Sequence, residues 1–127
     1  MKTINIKTLS KETTNRNFIN VQFINPDKIE TPLFFKNCIF NHCSFHDFKN
    51  KNIVFKSCTL IVCDFHNLEN KLGQFYNNIF YNASFSNCKF NQTVFEKNSY
   101  HMFSSANTNY NNCRHIEEQK DPTYLEI

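Results

Sequence analysis

The 127 residues contain one glycine (Gly73), three prolines and no tryptophan. At a usual glycine frequency of about 7%, roughly nine glycines would be expected. With one glycine, a G-x-G-x-x-G dinucleotide loop, a P-loop and a G-x-S-x-G nucleophile elbow cannot be written. Long apolar runs are also missing. The longest, Leu60-Ile61-Val62-Cys63, falls far short of the ~20 residues of a membrane-spanning helix. Met1 to Lys11 alternates polar and apolar residues and lacks the apolar stretch of a secretion signal. The expectation is a soluble, cytoplasmic protein whose six cysteines are reduced thiols. Charge is weak too: the net value is +3, made of +2 over residues 1–32, +4 over 33–115 and −3 over 116–127. Direct nucleic-acid binding, which calls for a strongly basic patch, is not expected.

What the chain has in excess is phenylalanine (15 residues) and asparagine (21 residues). Phe35, Phe40, Phe45, Phe55, Phe65, Phe75, Phe80, Phe85, Phe90 and Phe95 all fall on multiples of five. Leu60 and Tyr100 keep the phase, and Asn50 and Asn70 interrupt it. Every cysteine (Cys38, Cys43, Cys58, Cys63, Cys88, Cys113) lies two residues before such a centre. Six residues would share one phase of five by chance about once in 3,000 trials, so the pattern is an internal repeat. A helix has period 3.6 and a half-buried strand period 2. Two inward positions recurring every five residues require short extended segments joined by corners. Two residues after the centre stand Asn37, Asp47, Asn52, Asn67, Asn77, Asn82 and Asn87. These residue types tolerate the left-handed backbone that a corner without glycine needs.

Runs such as Cys38-Ile39-Phe40-Asn41-His42, Cys43-Ser44-Phe45-His46-Asp47, Ala83-Ser84-Phe85-Ser86-Asn87 and Cys88-Lys89-Phe90-Asn91-Gln92 resemble the pentapeptide-repeat family. The resemblance implies an all-β fold, a right-handed quadrilateral β-helix of about four to five coils. Each coil has four five-residue faces, with the centre and the residue two before it inside. The repeat region spans residues 18–112, in regular phase over 33–112. Phe18 and Phe23 lie in another phase, which places a two-residue insertion or a loop between Pro26 and Pro32. Residues 1–17 read as an N-terminal tail or cap. Residues 113–127 read as a C-terminal cap or tail, with a short helix from Arg114 to Lys120 before Pro122.

Residues twenty apart then become vertical neighbours at about 4.8 Å. Cys38 over Cys58 and Cys43 over Cys63 are read as small core fillers rather than as a C-x4-C zinc set. Asn50 over Asn70 is expected to form an amide ladder or to bond the backbone, with Phe48 and Leu68 supplying the bulk. His46 over His66, beside Asp47 and Asp64, reads as a surface ladder, a metal pair or a proton shuttle. No metal, cofactor or catalytic residue is assigned. Lys36, Lys49, Lys51, Lys56 and Lys71 form a candidate basic edge. Phe34, Ile39, Val54, Ile61, Val62, Ile79, Tyr81, Val94 and Met102 form an outward apolar stripe, a candidate interface covered by a second subunit or by the N-terminal segment.

A filled solenoid with no catalytic constellation is expected to be a non-enzymatic binding protein acting on a protein partner. The resemblance implies one kind of partner, a bacterial type II topoisomerase such as gyrase, since some members of the family imitate DNA. Small size and the lack of a catalytic constellation suit a second, a host defence complex blocked by a phage or mobile-element inhibitor of anti-CRISPR type. The +4 over residues 33–115 departs from the acidic surface of a DNA mimic. The alternative is a structural or scaffolding homodimer joined through the stripe or the C-terminal end.

Overall fold

In a computed structural model, which describes residues 1–30 and 32–127 and leaves the side chain of Lys51 undescribed, the repeat closes into a four-walled parallel β-helix. The first face stacks Glu12–Thr14, Leu33–Lys36, Ile53–Lys56, Gln74–Tyr76, Val94–Glu96 and Arg114–Ile116. The second stacks Asn17–Ile19, Ile39–Asn41, Thr59–Ile61, Ile79–Tyr81, Ser99–His101 and Gln119–Lys120. The third stacks Lys2–Asn5, Val21–Ile24, Ser44–His46, Asp64–His66, Ser84–Ser86, Ser104–Ala106 and Leu125–Glu126. The fourth holds Lys49–Lys51, Glu69–Lys71, Lys89–Asn91 and Asn109–Asn111. Six strands on each of the first two faces make about six coils, more than the four to five expected.

The extra coils come from both termini. Residues 1–17 contribute strands to the walls. Lys2–Asn5 pairs with Val21–Ile24, and Glu12–Thr14 pairs with Phe34–Lys36. The helix expected from Arg114 to Lys120 is replaced by the strands Arg114–Ile116 and Gln119–Lys120. There the five-residue phase continues although the inward residues have become polar. Backbone pairing to the coil below, through Arg114 N to Thr93 O and Gln119 N to Asn98 O, outweighs local helix propensity.

Register explains the phase shift near the prolines. Thr13 pairs with Phe35, Phe18 with Phe40 and Phe23 with Phe45, two residues longer than the twenty of the regular coils. The surplus lies in the loop that replaces the fourth wall of that coil. Asn25 ties the loop by accepting from Ile29 N–H and donating to Ile29 O, both at 3.0 Å. Its Nδ2 also donates to Asn50 Oδ1 at 3.3 Å.

The core is a set of ring stacks. Phe35, Phe55, Phe75 and Phe95 stack with centroids 5.1–5.3 Å apart, and Phe35 meets Phe40 of the neighbouring wall edge to face. Aromatic pairs in these geometries add about 0.5–1.5 kcal/mol beyond their burial. All seven Asn or Asp corner residues named from the sequence have φ between 52° and 60°. Gly73, by contrast, does not have positive φ. Its role is steric: a β-carbon there would overlap the Asn70 amide and stand 2.8 Å from Ile53 O.

Candidate interaction surface

Each face turns its centre residue inward and the two flanking residues outward, so the outer wall is a grid of columns one coil apart. On the second face one column runs Ile39, Thr59, Ile79 and the next Asn41, Ile61, Tyr81, His101. Ile39, Ile79, Tyr81 and Met102 are 42–50% exposed. Val62 and Met102 stand on the corner beside them, with φ of 51° and 50°. Val62 is the one β-branched residue at positive φ among the described residues. Its branched Cβ makes that conformation a true outlier, costing on the order of 1–2 kcal/mol. On the first face Phe34, Val54 and Val94 share a column, half-buried and interrupted by Gln74.

The N-terminal segment does not cover this stripe. Its first strand lies on the third face and its second on the first, so on the second face it contributes only Asn17–Ile19. Ile19, 63% exposed, extends the apolar surface by one coil. Its register of 22 rather than 20 residues hides Ile19 from the five-residue count.

The remaining constellations are separate. Lys36 stacks on Lys56, whose ammonium lies 5.6 Å from the Tyr76 ring centre. Lys49 approaches Glu69 at 3.9 Å, and Lys71 is exposed. The side chain of Lys51 lies outside the described residues. His46 Nε2 is 2.6 Å from Asp64 Oδ2, and His66 Nδ1 is 2.8 Å from Ser86 Oγ. The two imidazole centroids are 5.5 Å apart. Each ring is thus held by a neighbour in the coil above. Among the described residues no group of three or more His, Cys, Asp or Glu side chains is placed to hold a metal.

The cysteines are free thiols, and five are buried. Each occupies an inner corner and bonds backbone carbonyls: Cys58 Sγ donates to Phe35 O and Cys63 Sγ to Phe40 O. Hydrogen bonding to Cys38, then burial, pushes the Cys58 thiol up, and Cys63 follows through Cys43. Burial lifts Cys88 to about 11. The neighbouring Cys58 and Cys63 thiols favour ionisation of Cys38 and Cys43. A thiolate in a lumen walled by phenyl rings is poorly solvated, so burial decides and both pairs stay protonated.

Further along the second-face corner the cysteines give way to a polar column absent from the sequence reading. Cys58 N–H donates to Asn78 Oδ1, Asn78 N–H to Asn98 Oδ1 and Asn98 N–H to Glu118 Oε2, at 2.9, 2.9 and 2.7 Å. The amide nitrogens of Asn78 and Asn98 donate to Phe55 O and Phe75 O at 2.9 Å. Both asparagines are at most 1% exposed. Their phase, two before a centre, was the available signal. Asn50 and Asn70 behave as expected in bonding backbone: Asn50 Nδ2 donates to Ile29 O at 3.1 Å, and Ile53 N–H to Asn70 Oδ1 at 3.3 Å. They form no amide bond with each other. Asn70 Nδ2 is buried without a partner.

No protein-family model and no curated protein matches this sequence. The chain is similar in structure to a pentapeptide repeat protein (Rfr23) from the cyanobacterium Cyanothece 51142. That match has 11% identity over 99% of this chain and 88% of the other, with a TM-score of 0.46. It is also similar to QnrB1, a plasmid-mediated fluoroquinolone resistance protein. Here identity is 9% over 95% of this chain and 84% of the other, with a TM-score of 0.28. The five-residue phase, the four parallel walls and the twenty-residue register define the fold as the quadrilateral β-helix of pentapeptide-repeat proteins.

Proposed function

We propose that this chain is a non-enzymatic binding protein that docks a protein partner on its second face, with Ile39, Ile79, Tyr81 and Val62 at the centre of the contact. Val62 carries the reading. A β-branched residue at a left-handed corner strains the backbone, and at 36% exposure it gains only part of the burial that would offset this. The asparagines at other corners avoid that cost. An apolar residue retained there beside exposed isoleucines marks a surface that gains by being covered.

The partner class follows from the family resemblance, whose DNA-imitating members act on topoisomerases. The charge of +4 over residues 33–115 favours apolar complementarity over imitation of DNA charge. Capture from bacterial lysate with the wild type and with Ile79→Asp/Tyr81→Asp tests the contact, and a gyrase supercoiling assay tests the partner. The reading requires loss of capture in the variant at unchanged folded-state stability. Val62→Asn is expected to weaken capture while raising stability by about 1 kcal/mol, because asparagine relieves the corner. Sedimentation showing a dimer that Ile79→Asp dissociates would instead assign the stripe to a scaffolding homodimer.

A further inference from the structure

Where the aromatic stacks reach the last coil, the inward residues change character. Tyr110 lies on Phe90, His115 on Phe95 and Tyr124 on Phe103, at centroid distances of 5.6, 4.9 and 5.6 Å and interplanar angles of 4–15°. Each is the last ring of its stack, and all three line a cavity of about 220 Å³. Phe85, Phe95, Tyr100, Lys120 and Glu126 complete its lining. Glu118, its side chain 6% exposed, accepts from the Oη of the lining Tyr100 at 2.5 Å and from Asn98 N–H. Residues 116–127 carry a net charge of −3.

π faces surrounded by carboxylates attract cations. This site already holds one: the Lys120 ammonium stands 4.6 Å above the centre of the Tyr124 ring. Lys120 occupies a centre position, paired with Tyr100, where a core residue would stand in a regular coil. It is nonetheless exposed, tethered by a flexible stem and free of any ion pair within 4 Å among the described residues. A cation so held is displaceable.

We propose that this cavity is a binding site for a soft organic cation, a guanidinium or alkylammonium head, which rests against Tyr110 and Tyr124 and displaces Lys120. The Glu126 carboxylate in the lining supplies the counter-charge, with Glu118 behind it through Tyr100, and the phenol rings supply the faces. The site is independent of the second-face stripe, so it stands or falls separately from the proposed docking surface.

Choline is a suitable probe, titrated at pH 8, above the ordinary histidine range. Tyrosine ring-proton NMR localises any binding. The expected result is saturable shifts of the Tyr110 and Tyr124 signals by choline and none by its neutral carbon isostere, neohexanol. Tyr124→Leu is expected to weaken choline binding by about three- to tenfold, the range of a partly exposed cation–π contact. Lys120→Ala is expected to strengthen it, because the competing ammonium is gone, whereas a merely structural role for Lys120 would leave affinity unchanged or lower it. Equal shifts with neohexanol, weaker binding in Lys120→Ala, or no saturable shift in the wild type would each overturn the proposal. Should Tyr124→Leu lose the fold, Glu126→Gln provides the second test, with weaker binding expected and unchanged binding counting against the site.

Discussion

The side-chain amide of Asn70 occupies the space where a β-carbon on Gly73 would stand, three residues later on the neighbouring wall. The coil thus exchanges bulk between its two inward positions. On the fourth face the centres are Asn50 and Asn70, with Phe48 and Leu68 two residues before them, all buried. The third face repeats the exchange at its upper end, where Phe103 carries the bulk and Ser105 is the centre. At the adjoining corner Gly73 makes room for the displaced amide.

Gly73→Ala is therefore expected to destabilise the protein by about 1–3 kcal/mol, the usual cost of overpacking a filled core. Asn70→Ala on its own removes the acceptor of Ile53 N–H and is also destabilising. Because the two residues share one space, the double variant should cost less than the sum of the singles. Urea denaturation of the four proteins measures the coupling, and strict additivity would show that the amide moves aside freely.

The corner column through Asn78 and Asn98 makes a second prediction. Asn98→Ala strips Asn78 N–H and Phe75 O of their partners inside the core. A loss of about 1–3 kcal/mol or more is expected, as for other buried polar groups left unsatisfied. The exposed corner Asn77→Ala, which loses a contact to Ser57 Oγ and must hold φ of 56°, should cost less. Thermal denaturation of both variants would check the ranking.

Thiol chemistry provides a third. Only Cys113 is partly exposed. In the native state one thiol per chain should react with iodoacetamide at neutral pH, and the other five should become reactive on unfolding. Mass-resolved labelling would identify the site. Rapid native modification of Cys38 or Cys43 would show that their bonds to Cys58 and Cys63 outweigh burial.

At alkaline pH the last coil should loosen first. Burial, with help from the Glu126 carboxylate, pushes the Tyr124 phenol up to about 12. Burial raises Tyr110 and Tyr100 further, Tyr100 also through Glu118. In the unfolded chain a phenol ionises near 10. Above that pH the unfolded state releases protons that the folded state retains, so stability is full below about pH 10 and falls as pH rises through 12. Denaturation midpoints at pH 8 and pH 11 should show this fall, and Tyr124→Phe should reduce it.

Much of this was legible in one dimension because the fold is nearly one-dimensional. Each coil contacts mainly the coils above and below it, so Phe35 predicts what Phe55 will touch. The corner role of Asn37 or Asn82 follows from backbone sterics alone. The stretch from Arg114 to Lys120 reads as a helix because the residues at its centre and pre-centre positions, His115, Glu118 and Lys120, do not look like a core. A strand paired to an existing coil does not need them to be apolar.

Period, phase and inward set were all carried by the chain's own spacing, since a five-residue unit permits one arrangement of side chains in and out. Folding in three dimensions decided matters that depend on which residue lies across a gap. The surplus register at Pro26–Pro32 left the fourth wall of the first coil to a loop clamped by Asn25 and Asn50. The N-terminal strands settled on the first and third faces and left the apolar second face open. The single glycine, whose scarcity removes so many loop chemistries, proved to serve close packing against Asn70, which no count of glycines could show.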